Sequence, residues 1–90
     1  MAQAVVDPAE LRRFASNLKR FNGELQSQLA ALHAQLLALG DTWRDQEHEK
    51  FREEFEQRMK EMERFLEECG LYIPTLLRKA ERIEEYLSQR

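Results

Sequence analysis

Apolar residues recur through the first half of the chain at Leu11, Phe14, Leu18, Phe21, Leu25, Leu32 and Leu39, spaced alternately by three and four. Gln28 and Gln35 fill the two vacant positions of the same stripe. This alternation is the heptad signature of a helix that lays one face against a partner helix. Leu29, Leu36 and Leu37 flank the stripe in its second half and widen it beyond what one partner can cover. The second half of the chain opens with Trp43, Phe51 and Phe55. It then repeats the three-four rhythm through Met59, Met62, Leu66, Cys69, Ile73, Leu76, Ala80, Ile83 and Leu87.

Local signals bound these two helices. Residues 1–6 carry no periodicity and are expected to fray, whereas Asp7-Pro8-Ala9-Glu10 supplies a capping acceptor, a proline in first position and an acid at the third. The first helix is expected over about 8–39. Gly40 then stands where a left-handed residue ends a helix, and Asp41 or Thr42 can cap the next one, giving a turn at 40–42. So short a connection forces the second helix, about 43–88, to run back antiparallel to the first. Gly70 and Pro74 predict a kink or break near 70–74, since proline lacks a donor and crowds the carbonyl four residues back. At 1.5 Å per residue the helices span roughly 48 and 69 Å, so the second overshoots the first. Leu76, Leu77, Ala80, Ile83 and Leu87 then need a further partner, or the segment bends over the end.

The chain therefore reads as one all-α domain, an antiparallel two-helix hairpin over 1–90. Two amphipathic helices bury only the strip where they touch, and at about 25 cal/mol per Å² that strip barely offsets the ordering entropy. A second copy solves the problem by forming a four-helix bundle, so a homodimer is expected. The packing and dimer seam would comprise Leu11, Phe14, Leu18, Phe21, Leu25, Leu29, Leu32, Leu36, Phe55, Met59, Met62, Leu66, Ile73, Leu76 and Ile83.

Composition narrows the function. Of the 90 residues 34% are charged, but the 14 basic ones are interspersed among 17 acidic ones, giving a net charge of −3 and no basic face for nucleic acid. No Sec-type signal peptide is visible at the N-terminus, and no apolar stretch suits membrane insertion. Cytoplasmic synthesis is expected, with export by a route lacking a cleaved signal left open. The single Cys69 sits at a seam position, as a buried inert thiol.

Candidate chemistry is thin. Asp45 and His48 lie three apart, as metal ligands do in carboxylate-rich bundles, but the first-helix seam offers no matching acid other than Glu24 beside it, so both are read as solvated helix-start residues. His33 is read as a boundary side chain without a carboxylate companion. With no phosphate loop, nucleophile elbow or paired cysteines, no catalytic residue, metal ligand or cofactor is assigned, and an enzyme is not expected.

Two long helices of this total length, joined by a short loop carrying Trp43, with the aromatic Phe51 eight residues on, resemble the WXG family of bacterial helical hairpins, the early-secreted-antigen type. The resemblance implies four-helix dimers and a role as a small secreted factor of type VII secretion, or as an adaptor for a larger secreted or toxin partner. It also makes Gly40, Trp43, Asp45 and Phe51 the turn and motif residues. Here the tripeptide is Trp43-Arg44-Asp45, with aspartate in the place of the family's glycine, and the second helix is expected to begin straight after Trp43. The family's export signal, a tyrosine followed four residues later by an acid, is absent: Tyr86 is followed by Arg90 and Tyr72 by Leu76. Trp43 itself is read as an apolar plug at the closed end, or, on the resemblance alone, as an exposed recognition anchor. The rival to a secretion role is a cytoplasmic scaffold coiled coil.

Overall fold

The computed structural model describes residues 6–89, so most of the segment expected to fray lies outside the described residues. Asp7 is extended, and its carboxylate accepts the Ala9 N–H at 2.9 Å ahead of Pro8. Helix α1 (Pro8–Leu39) follows from that cap. It stops at Gly40, whose φ of −60° and ψ of −16° are right-handed rather than the expected left-handed values. The helix unwinds gradually: Gly40 N–H donates to Leu37 O at 3.1 Å, Asp41 N–H to Ala38 O at 3.1 Å and Trp43 N–H to Leu39 O at 2.8 Å. Glycine keeps position 40 uncrowded. A Cβ there would lie 3.1 Å from Leu37 O and 3.5 Å from His48 Cε1.

Helix α2 (Gln46–Ser88) begins three residues later than the pattern suggested, and its cap is Asp45, not Asp41 or Thr42. The reason is that the turn residues are already committed backwards. The Thr42 hydroxyl adds to the backbone donors on Leu39 O at 3.4 Å, and Arg44 Nε donates to Gly40 O at 3.0 Å, a carbonyl that the end of α1 leaves open. Asp45, extended at ψ −178°, is then the first residue free to turn its carboxylate inward, where it accepts the His48 N–H at 3.0 Å.

The break expected near 70–74 is not there: α2 passes through Pro74 as one element of 43 residues. Proline removes a single donor, leaving the Gly70 carbonyl without its helical partner. Gly70 is only half-buried and Pro74 itself is exposed, so the ring lies on the outer side of α2 and is accommodated without ending the helix.

The two helices lie side by side in a rod of 69 × 23 × 16 Å. On α1 the face turned toward α2 carries Leu11, Ala15, Leu18, Asn22, Leu25, Leu29, His33 and Leu36. It meets His48, Phe55, Met59, Leu66, Cys69, Ile73, Leu76, Ala80 and Ile83. The inner seam of α1 is thus rotated from the expected stripe by one position, and small or polar residues occupy part of it. Nor does the far end of α2 hang free: Ala80 is fully covered, and Leu76 and Ile83 are half-buried beside the first turns of α1, although Leu77 and Leu87 stay exposed. Among the described residues no large side chain is completely buried, which leaves the single hairpin with a thin core.

Candidate functional site

The residues displaced from the inner seam form a surface of their own. Phe14 (56% exposed), Phe21 (48%), Leu32 and Leu39 keep the three-four spacing with the half-buried Leu18 and Leu25, so they lie along one flank of the inner face of α1 and open to solvent. On α2, Phe51, Phe65 and Tyr72 fall on multiples of seven and are likewise exposed, as is Met62. The two sets meet near the turn. There Leu32, Gln35, Leu36 and Leu39 of α1 and Phe51 and Phe55 of α2 line an open apolar cleft of about 300 Å³. Of the residues assigned to the seam, Phe14, Phe21, Leu32 and Met62 therefore face outward, and the others are at least half-buried between the helices.

The turn builds a second cluster. Trp43 is half-buried, its ring edge-on to His48 at 4.9 Å between centroids and 61° between planes, and 6.2 Å from Phe51. Phe51 continues to Phe55 at 5.9 Å, so an aromatic ladder leads from the turn to the cleft. His48 is only 5% exposed, and its Nε2 is buried without a protein partner. His48 is not solvated as expected: the turn folds it under the indole, with its Cε1 edge beside Gly40.

Charged side chains clasp the seam at two levels. His33 Nε2 lies 2.8 Å from Glu56 Oε2, and Arg52 Nη1 donates to Glu56 Oε1 at 3.1 Å while Nη2 reaches Glu49 at 2.8 Å. The His33 hydrogen bond, together with nearby Arg52, holds the Glu56 carboxyl below the usual carboxylate range. His33 thus has the carboxylate companion that the sequence reading denied it. At the open end Arg12 clasps Glu84 and holds its carboxyl down in the same way. Among the described residues no group of three or more His, Cys, Asp or Glu is placed to hold a metal ion, and no helix is long and apolar enough to cross a membrane.

A tryptophan turn joining two long antiparallel helices is also what comparison with known proteins returns. A family profile described as proteins of 100 residues with WXG, WXG100, matches residues 3–86. The chain belongs to the WXG100 family.

Solved structures agree. The selenomethionine-labelled secreted protein EsxB from Bacillus anthracis str. Sterne is 31% identical, covering 96% of this chain and 98% of its own, with a TM-score of 0.79. The wild-type protein in another crystal form is 33% identical over 91% of this chain and 94% of its own, TM-score 0.77. A point variant of the same protein reaches 0.81 at 32% identity, with 94% and 96% covered. No curated protein sequence matches the chain.

As a WXG100 protein this chain carries Asp45 at the third motif position, where its side chain accepts the His48 N–H and caps α2. Phe51, the other motif aromatic, links the turn to the cleft. Sequence reasoning missed His48, Asn22 and the charged clasps. Asn22 sits on the inner face, its Nδ2 3.5 Å from Leu66 O and its Oδ1 buried without a protein partner. The available signal for Asn22 and His33 was their spacing of seven, four or three residues from Ala15, Leu29 and Leu36, a stripe of lower hydrophobicity running beside the obvious one.

Proposed function

We propose that this WXG100 protein is a non-enzymatic interaction module that works as a homodimer, as a small secreted factor or adaptor of type VII secretion. The observation that carries this is the outward apolar face. Phe14, Phe21, Leu32, Leu39, Phe51 and Phe65 are exposed on a molecule whose own core is thin, Leu32, Leu39 and Phe51 of them around one cleft, and exposed apolar surface of that kind marks an interface. A second hairpin covers it and completes a four-helix bundle.

The face also suits a copy of itself. Protruding phenylalanines lie toward the open end of α1 and the cleft lies toward the turn, so a two-fold axis crossing α1 between them seats the Phe14 and Phe21 rings of each copy over the other's cleft. Gln28, polar within the stripe, then lies close to the axis, where it favours one register over slipped alternatives.

Export is supported by the likeness to EsxB, which is described as secreted. The route proposed is synthesis in the cytoplasm followed by export without a cleaved signal. The test is expression in a bacterium carrying a type VII system, with and without its motor ATPase. The proposal expects the protein in the medium only when the ATPase is present. Retention in the cytoplasm in both strains, with the dimer intact, favours the scaffold role.

A further inference from the structure

Near the middle of α1 two consecutive residues weaken the helix that holds them. Asn22 sits half-buried on the inner face, where its Nδ2 makes only a long contact, 3.5 Å, to Leu66 O and its Oδ1 is buried with no protein donor. A buried acceptor left unpaired costs stability. Gly23 follows it on the exposed side. Glycine in a helix interior is less favourable than alanine, and packing gives no reason for it here. Nothing lies within 4 Å of where its Cβ would be, and its φ is not positive. What the two residues share is chemistry. In an Asn-Gly pair the following backbone nitrogen is least hindered from attacking the asparagine side chain, because glycine puts no Cβ beside it. The sequence holds one such pair and one other asparagine, Asn17, which precedes Leu18.

We propose that Asn22-Gly23 is a spontaneous deamidation site that the folded hairpin keeps closed and that reacts when α1 unwinds. The Gly23 nitrogen gives up its proton and bonds to Asn22 Cγ, the Cγ–Nδ2 bond breaks, and ammonia leaves, closing a five-membered succinimide. Water then opens the ring. Cleavage between Cγ and the Gly23 nitrogen restores the backbone with an aspartate side chain. Cleavage between the Asn22 backbone carbonyl carbon and that nitrogen leaves an isoaspartate, whose main chain runs through the former side chain. Water is the one co-reactant and ammonia the one leaving group.

The helix blocks the first step twice. Its regular bond from the Gly23 N–H to the carbonyl four residues back occupies the attacking nitrogen, and the closed ring requires a ψ at Asn22 outside the helical range. Reaction therefore waits on local opening, and its rate follows the opened fraction. Either product fits the seam poorly: a carboxylate facing Leu66 O cannot donate as Nδ2 does, and an isoaspartate adds a backbone carbon that disrupts the helical register. The change is one-way, so a chain that stays unwound is marked at its seam.

The full chain is held at mildly alkaline pH, folded in buffer or unfolded in urea, then digested, and mass spectrometry reads the mass gain and the isoaspartate at each asparagine. In urea Asn22 is expected to convert well ahead of Asn17. Folded, its conversion is expected to be at least about tenfold slower than in urea, since only opened chains react. Gly23→Ala, whose Cβ meets open space, is expected to fold and, in urea, to convert at Asn22 much more slowly. Wild-type chains aged in urea and refolded are expected to lose melting temperature in step with their conversion, and Gly23→Ala chains treated alike to keep theirs. Equal rates at Asn22 in folded and unfolded chains overturn the protection. Conversion in urea no faster than at Asn17 overturns the site, and an unchanged melting temperature after full conversion overturns the damage to the seam.

Discussion

Arg12 in the first turns of α1 and Glu84 in the last turns of α2 grip each other through two parallel hydrogen bonds, Nη2 to Oε1 at 2.7 Å and Nε to Oε2 at 2.8 Å. The pair pins the open end of the hairpin beside the fully covered Ala80. Two-pronged geometry is what lets a solvent-accessible ion pair contribute at all, and lysine cannot reproduce it. Arg12→Lys is expected to speed amide hydrogen exchange in the first turn of α1 and the last turns of α2, leaving the turn around Gly40 unchanged. Equal acceleration at both ends would mean the pair acts on global stability instead.

The Glu56 and Glu84 carboxyls are both held low, by His33 and by Arg12 respectively. A carboxyl whose folded value is depressed adds stability that is complete above the ordinary carboxylate range and disappears as pH falls through its own lowered value. Melting temperature is therefore expected to fall on acidification below that ordinary range, and to fall less steeply in Glu56→Gln and Glu84→Gln. Parallel curves for wild type and both variants would contradict the assignment.

Asp45 is the clearest local test of the motif. Replacing an N-cap aspartate by alanine costs about 0.5–2 kcal/mol, whereas glycine at a cap costs only a few tenths. Asp45→Ala is expected to destabilise the chain measurably in urea and Asp45→Gly hardly at all. The glycine variant restores the family tripeptide, so the comparison also shows how little the fold demands of that position.

That contrast marks what the sequence could and could not reveal. Capping at Asp7-Pro8 and the stop at Gly40 are decided by neighbours within one turn, so a linear reading finds them. The choice of seam is decided by how close the two backbones come. Ala15, Asn22 and Ala80 occupy inner positions while Phe14 and Phe21 turn outward, so ranking by hydrophobicity picks a stripe that partly faces away from the other helix. His48 was illegible for a related reason: between Glu47 and Glu49 it looks solvated, and only the path of residues 40–45 carries it under Trp43. Of the kink or break expected at Pro74 the break does not occur, because one missing donor beside a half-exposed glycine is tolerable, which no count of helix breakers conveys.

Trp43 is half-buried, so it does not close the end of the hairpin as a fully covered plug. Full burial of a large aromatic makes its truncation cost ~3–5 kcal/mol, and partial burial against His48 and Phe51 lowers the expectation for Trp43→Ala to about 2 kcal/mol. Urea unfolding followed by circular dichroism reads this value. A loss under half of it would recast the indole as a recognition residue with little structural duty.

The outward face is the centre of the account, and the mass of the protein in solution tests it most directly. Light scattering coupled to size exclusion, at micromolar concentration, is expected to give twice the 10.8 kDa of the chain, and Phe21→Glu is expected to return it to a single chain's mass. A wild-type mass of 10.8 kDa at that concentration, with cooperative melting, would contradict the claim, because the hairpin would then be stable with its apolar face in water.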